Sequence, residues 1–269
     1  MGMKKIEQYG IRPNKKFGQN FLNDSSVLRR EVAYANIGPQ DTVLEIGPGI
    51  GNLTELLLEK AARVVVVERD RQFTKCLMDL QKRHGHLQVM WGDALEVELP
   101  RFDRVVANLP YNVALPIVFR LLDLGFDRAV LMFQKRLAER MSAGVGENGY
   151  CRIGVAIGRV AKVELIEKIR PDAFVPPPEV ESTVVKIEPG KPSFVVPSED
   201  FFKRVLESLF ARRNELLHQV LEKSRNKHLP PAALARLGKK LKNKQIFRLT
   251  PREFGEITRV LWQVSGGRG

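Results

Sequence analysis

From Thr42 to Phe133 the chain alternates short apolar runs with longer amphipathic segments. Thr42-Val43-Leu44-Glu45-Ile46 stops at Gly47-Pro48-Gly49. Leu53, Leu56, Leu57 and Leu58 follow at helical spacing. Val64-Val65-Val66-Val67, ending at Glu68, is too short and too β-branched for anything but a buried strand. The spacing predicts a helix over 71–83, a strand over Leu87–Trp91 that runs into Gly92-Asp93, and two more buried strands at 105–107 and 129–133. An apolar helix around 116–124 separates the last two. Repeated strand–helix units of this kind require a parallel sheet covered by helices on both faces, an α/β fold. Residues 179–188 alternate apolar and polar, as a late antiparallel strand would.

After Pro189-Gly190-Lys191-Pro192 the period changes. Phe202, Val205, Leu206, Leu209 and Phe210 recur at helical spacing, and Leu216, Leu217, Val220 and Leu221 continue it. Thr250-Pro251-Arg252-Glu253 reads as a helix start, with a Thr cap, Pro in the first turn and a Glu reaching back. The expected division is therefore residues 1–190 as an α/β domain and residues 191–269 as a small C-terminal helical domain.

Charge adds a partner to this outline. The 269 residues carry a net +13. Residues 191–269 hold 17 basic and 7 acidic side chains, and residues 1–30 hold 7 basic and 2 acidic. The segment between them is slightly acidic. A basic arm and a basic tail on a near-neutral body point to a polyanion, nucleic acid before an acidic membrane. No apolar run is long enough for a membrane helix, and Met1-Gly2-Met3-Lys4-Lys5 is followed by polar Glu7-Gln8 rather than a signal-peptide core. Cys76 and Cys151 form neither a disulfide framework nor a metal-binding spacing, so no metal and a reducing compartment are expected.

The candidate chemistry lies at strand ends. Gly47-Pro48-Gly49-Ile50-Gly51 is a glycine turn after the first strand, on the edge where open α/β sheets bind ligands. The usual dinucleotide fingerprint would place a glycine at Asn52, and no Lys-Ser/Thr follows for a P-loop. Glu68 is placed to accept ribose hydroxyls, and Asp93 to accept from an adenine amino group. Either acid alone also fits a helix cap or a solvated loop position. Together beside this turn they suggest S-adenosylmethionine (SAM), whose cationic sulfonium suits surroundings that include Glu45, Glu68 and Asp93. Asn108-Leu109-Pro110-Tyr111 closes the fourth strand and resembles the signature of methyltransferases acting on planar exocyclic amines. An adenine N6 lone pair is delocalised and weakly nucleophilic. The Asn108 side-chain oxygen and the Leu109 carbonyl can accept its two hydrogens, Pro110 stiffens the loop, and Tyr111 offers a stacking face.

Five segments in order then resemble the KsgA family of small-subunit (16S) rRNA adenine-N6,N6-dimethyltransferases. They are Lys15-Lys16-Phe17-Gly18-Gln19-Asn20-Phe21-Leu22, the run from Leu44 to Thr54, Gly92-Asp93-Ala94, Asn108-Leu109-Pro110-Tyr111-Asn112, and Phe174-Val175-Pro176-Pro177-Pro178-Glu179-Val180-Glu181-Ser182. The resemblance implies a Rossmann-like class I SAM-dependent methyltransferase sheet with a small C-terminal helical domain. By position it implies that Gln19, Asn20 and Leu22 close over SAM and that Gly47 and Gly49 line its methionine and ribose end. Glu68 would hold the ribose, and Asp93 with Ala94 the adenine. Asn108, Leu109, Pro110 and Tyr111 would hold the target base, with Phe174 on its other face, and Asn108 would also touch SAM. Lys15, Lys16, Arg212 and Arg213 would contact RNA. Without the family, Gln19-Asn20 is only an amide pair in a loop, and Phe174 fits a core position nearly as well. The implied reaction is dimethylation of two adjacent adenosines near the 3′ end of small-subunit rRNA by a cytoplasmic monomer in ribosome biogenesis. The alternatives are a large-subunit rRNA adenine methyltransferase and a non-catalytic ribosome-assembly or transcription factor on the same fold. The chain departs from the family pattern at Arg136, where an acidic residue usually follows Gln-Lys, and at Asn214, where the tail helix usually continues with Lys.

Overall fold

The computed structural model describes residues 2–13, 19–110 and 112–267. Along the chain the main elements of the first part are α1 (Gly2–Tyr9), β1 (Phe21–Leu22), α2 (Ser25–Ala35), β2 (Thr42–Ile46), α3 (Asn52–Leu58), β3 (Arg63–Glu68), α4 (Thr74–Arg83), β4 (Leu87–Trp91), β5 (Arg104–Asn108), α5 (Ala114–Leu124) and β6 (Arg128–Gln134). They are followed by α6 (Lys135–Ser142), α7 (Arg152–Val160), β7 (Ala161–Ile169), β8 (Phe174–Val175) and β9 (Ser182–Pro189). The helices α8 (Glu199–Phe210), α9 (Leu217–Glu222), α10 (Lys239–Lys242) and α11 (Pro251–Val264) complete the chain.

Seven strands form one sheet in the order β4-β3-β2-β5-β6-β9-β7. Strands β2 to β6 pair in parallel, and β9 runs antiparallel to β6. The valine run of β3 lies between β2 and β4 with Val64 to Val67 fully buried, which explains why no polar residue interrupts it. The chain steps outward from β2 to β3 and β4, then returns to the other side of β2 as β5. This reversal creates a crevice at the carboxyl ends of β2 and β5, where Gly47 to Gly49 and Asn108 sit. Helix α2 is capped by Asp24, whose carboxylate accepts from the Ser26 and Val27 N–H groups at 2.8 and 3.4 Å. Its buried face carries Val27, Leu28, Glu31, Val32 and Ala35.

The strand expected around 179–188 forms at 182–189, while β7 has no counterpart in the sequence reading. Its residues, Ala-Lys-Val-Glu-Leu-Ile-Glu-Lys-Ile, carry helix-favouring Glu, Lys and Leu, and its burial shows no period of two. The two-residue pair β1–β8 was likewise too short to show a period; it sets Leu22 opposite Phe174 and Phe21 opposite Val175.

The chain divides into two compact units: Met1–Ala138 with Val163–Pro189, and Glu139–Lys162 with Gly190–Gly269. Residues 139–162, grouped with the first segment on hydropathy, therefore belong to the second unit. The reason is packing: Tyr150 and Val155 join the core of Phe201, Phe202, Leu217, Phe254 and Leu261, and the Tyr150 hydroxyl donates to the Leu249 carbonyl at 2.8 Å. Hydropathy records that these side chains are buried but not in which core. Helix α11 starts with a capping box: Glu253 N–H donates to Thr250 Oγ1 at 3.2 Å and Thr250 N–H to Glu253 Oε2 at 2.8 Å. Among the described residues no helix is long and apolar enough to cross a membrane, and no cluster of His, Cys, Asp or Glu could hold a metal ion.

Candidate active site

The crevice at the strand ends is a cleft within the first unit. It is lined by Gln19, Asn20, Gly47, Gly49, Glu68, Asp93, Ala94, Asn108, Leu109, Pro110 and Phe174 from the residues singled out above. Ile46, Val67, Asp70, Phe73, Met132 and others, which carry no motif of their own, complete its wall. Leu22 does not line it: its side chain packs in the core, and its carbonyl accepts from Asn52 Nδ2 at 3.2 Å. Glu45 is also absent from the wall, being buried beneath it with Thr54 Oγ1 donating to its carboxyl at 2.7 Å. Tyr111, Lys15 and Lys16 lie outside the described residues.

One end of the cleft is organised around Glu68. This carboxyl is 6% exposed, and its two oxygens accept from Gly49 N–H at 3.1 Å and Asp70 N–H at 2.8 Å. Burial pushes its pKa up, and the backbone donors pull the other way. Gly49 has φ +54, and a Cβ there would stand 3.1 Å from Phe21 Cε1. The position therefore needs glycine for both its conformation and its space. Gln19 is held by Asp70 and Gln72: its Nε2 donates to Asp70 Oδ2 at 2.8 Å, and its Oε1 accepts from Gln72 Nε2 at 3.2 Å. This bond network pins residue 19 beside the Glu68 end. Asp93 accepts from Leu95 N–H at 2.9 Å and pairs with Arg69 at 3.1 Å. The loop behind it is braced by Arg120 of α5, which donates to the carbonyls of Ala94 and Val97 at 2.6 and 2.5 Å.

The other end is organised around Asn108. Its Nδ2 donates to Glu31 Oε2 at 3.4 Å, while its Oδ1 is buried without a hydrogen-bond partner. A buried acceptor left unpaired is costly in isolation, so its presence on a cleft wall marks a place for a donor from outside. Phe174 is buried in the same core cluster as Leu22 and Met132 and presents part of its surface to the same cleft. Glu31 and Glu45 both have pKa values pushed up to about 8, by burial first and by neighbouring carboxyls in addition. Glu31 escaped the sequence reading, although a signal existed: it is the one charged position on the apolar stripe of α2.

The residues present fit SAM. Gly49 leaves space that a side chain would fill, the Glu68 carboxyl lines the cleft with lone pairs beyond the two backbone N–H bonds it accepts, and the orphaned Asn108 oxygen stands in the same cleft. The proposed RNA contacts in the second unit differ from each other. Arg212 is exposed, with Glu215 3.8 Å away. Arg213 is engaged internally, donating to the Asn148 carbonyl at 3.0 Å with its guanidinium 5.6 Å from the Phe247 ring centroid.

Comparison with known proteins identifies the family. The family model described as ribosomal RNA adenine dimethylase matches residues 10–250. A curated protein of Methanococcoides burtonii, named "Probable ribosomal RNA small subunit methyltransferase A", is 38% identical over 267 residues, 98% of each chain. One of the same name from Thermococcus onnurineus is 36% identical over 95% of each chain. Among solved structures, a dimethyladenosine transferase from Plasmodium falciparum superposes with a TM-score of 0.79 at 28% identity, over 91% of this chain and 98% of that one. The 23S rRNA methyltransferase ErmE shares the fold, with a TM-score of 0.68 at 24% identity, over 90% of this chain and 99% of that one. With the family model matching residues 10–250 and curated relatives 36% and 38% identical over nearly the whole of each chain, the chain belongs to the ribosomal RNA adenine dimethylase family.

Proposed function

We propose that the protein dimethylates the N6 amine of adenosine in small-subunit rRNA with SAM as methyl donor. The substrate positions are two adjacent adenosines near the 3′ end, modified during ribosome biogenesis by a monomer in the cytoplasm. The observation that carries this reading is the buried, unpartnered Asn108 Oδ1 in a cleft whose other end is the Glu68 carboxyl.

When bound, SAM supplies a methyl group made electrophilic by its sulfonium. Glu68 holds the ribose hydroxyls, Gly47 and Gly49 keep the wall free of side chains, and Asp93 with Ala94 meets the adenine of the cofactor. Asn108 Oδ1 accepts one hydrogen of the target amine and the Leu109 carbonyl the other. Holding both hydrogens turns the amine toward the methyl and stabilises the positive charge that grows on nitrogen. Phe174 covers one face of the base, the other falls to Tyr111 by its place in the motif, and Pro110 stiffens the loop just after the acceptors. The methylated nitrogen gives one proton to water, so after the first transfer only one N6 hydrogen remains and a single acceptor must suffice for the second. Gln19 and Asn20 close the cofactor end. Outside the cleft, the net +10 of residues 191–269, including Arg212, attracts rRNA phosphates.

The test is to incubate the protein and isotopically labelled SAM with undermethylated small subunits, free large-subunit rRNA and duplex DNA, then identify the modified base by mass spectrometry. N6,N6-dimethyladenosine from small subunits is expected. Its absence there refutes the proposal; label in large-subunit rRNA instead would favour the alternative enzyme, and no label anywhere a non-catalytic role.

A further inference from the structure

The base end of the cleft rests on a group that the reaction scheme above does not use. Glu31 is 1% exposed on the apolar face of α2, among Val27, Leu28, Val32 and Ala35. Its Oε2 accepts from Asn108 Nδ2 at 3.4 Å. The charged groups that act on it from neighbouring strands are Glu45 of β2 and Glu167 of β7, both carboxyls. Glu167 is itself occupied by Arg30, at 2.6 Å, and by the Tyr34 hydroxyl, at 3.1 Å. Glu45 accepts from Thr54. Packing alone would be better served by leucine at position 31, since an unneutralised buried carboxyl costs stability.

A carboxylate can only accept hydrogen bonds, whereas a carboxylic acid carries both a donor and an acceptor. An ionised Glu31 therefore meets the Asn108 amide in one orientation, with Nδ2 toward α2 and Oδ1 left over for the cleft. A protonated Glu31 can pair with either end of the amide and no longer dictates which one faces the substrate. We propose that Glu31 is the positioning residue of the base site, fixing the Asn108 amide so that its oxygen, not its nitrogen, meets the adenine amine. The inference rests on the reading of Asn108 as the acceptor of that amine. When Glu31 is ionised, its negative charge also lies behind the acceptor that meets a nitrogen becoming positive, which adds to the same effect. Burial pushes the Glu31 carboxyl up to about 8, so the orienting form is gained as pH rises through that value.

Three variants, Glu31→Gln, Glu31→Leu and Asn108→Ala, test this beside the wild type. Single-turnover methylation of small subunits at saturating SAM is followed between about pH 6 and pH 10. SAM affinity and thermal unfolding are measured in parallel. Affinity for a short adenine-containing oligoribonucleotide, with S-adenosylhomocysteine present, gives a readout without turnover. The wild-type rate should rise through about pH 8. Glu31→Gln should slow transfer by about tenfold or more, remove that rise, and weaken oligonucleotide binding, while SAM affinity stays within about twofold. Glu31→Leu should do the same with unchanged or higher thermal stability. Wild-type rates in either Glu31 variant, or a rise near pH 8 that survives in Glu31→Gln, overturn the proposal. If neither variant folds, a wild-type profile without that rise overturns it. A fast Asn108→Ala enzyme removes the acceptor reading and this inference with it; a slow Asn108→Ala beside fast Glu31 variants removes this inference alone.

Discussion

The two ends of the cleft treat their polar groups in opposite ways. At the Glu68 end both carboxylate oxygens already accept backbone N–H bonds, from Gly49 and Asp70. At the Asn108 end the amide nitrogen is engaged by Glu31 and the oxygen has no partner. A satisfied carboxylate keeps its place whether or not a ligand is present, which suits a site that must refill with cofactor. An unsatisfied acceptor gains most when a donor arrives, which suits a site that must recognise an amine and stabilise charge appearing on it. The difference predicts that damage at one end shows in binding and at the other in rate.

The largest expected effect is at Asn108. Replacement by Ala should lower the single-turnover rate at saturating SAM by about 100- to 1000-fold, the range for losing one transition-state hydrogen-bonding group. Glu68→Ala comes next. It should weaken SAM binding by about 10- to 100-fold in a calorimetric titration, with most of the saturated rate retained. Gly49→Ala forces a side chain onto a residue at φ +54, 3.1 Å from Phe21. Denaturant unfolding should show a loss of about 1–2 kcal/mol, with weaker SAM binding beside it.

Glu45 offers a pH test of the buried carboxyls. Its pKa stands at about 8 against an ordinary 4.5, so the unfolded chain releases the proton first and stability falls as pH rises between those values. Glu45→Gln can still accept from Thr54, and it should raise the unfolding temperature at pH 8 by about 2–4 °C while changing little below about pH 5. The smallest effect belongs to the second unit. Arg212→Ala should reduce the salt slope of small-subunit binding by about one. Arg213→Ala should mainly lower thermal stability, because its guanidinium braces the Asn148 carbonyl.

Much of this organisation could be read from the sequence where one local force dominates. The Val64 to Val67 run could only be a central strand, and Thr250 to Glu253 carried its own cap. The strand-end residues Gly49, Glu68, Asp93 and Asn108 were legible because the fold collects strand ends on one edge. What escaped depended on tertiary placement. β7 has a helix-like composition and is a strand only because β9 offers it a partner. Residues 139–162 are apolar enough for either core, and packing assigns them to the second. Leu22 shares a motif with Gln19 and Asn20, but the alternation of β1 turns Leu22 inward while Phe21 lines the cleft. Glu31 lies 77 residues from Asn108 in sequence, and no local pattern links them.

The division of labour between the two ends is tested most directly by one paired measurement. The SAM dissociation constant and the single-turnover rate at saturating SAM are determined together for Glu68→Ala and Asn108→Ala. The predicted result is a crossed pattern, with Glu68→Ala losing affinity and keeping rate, and Asn108→Ala keeping affinity and losing rate. Equal loss of SAM binding in both variants, with the rate restored in both once SAM saturates, would contradict it.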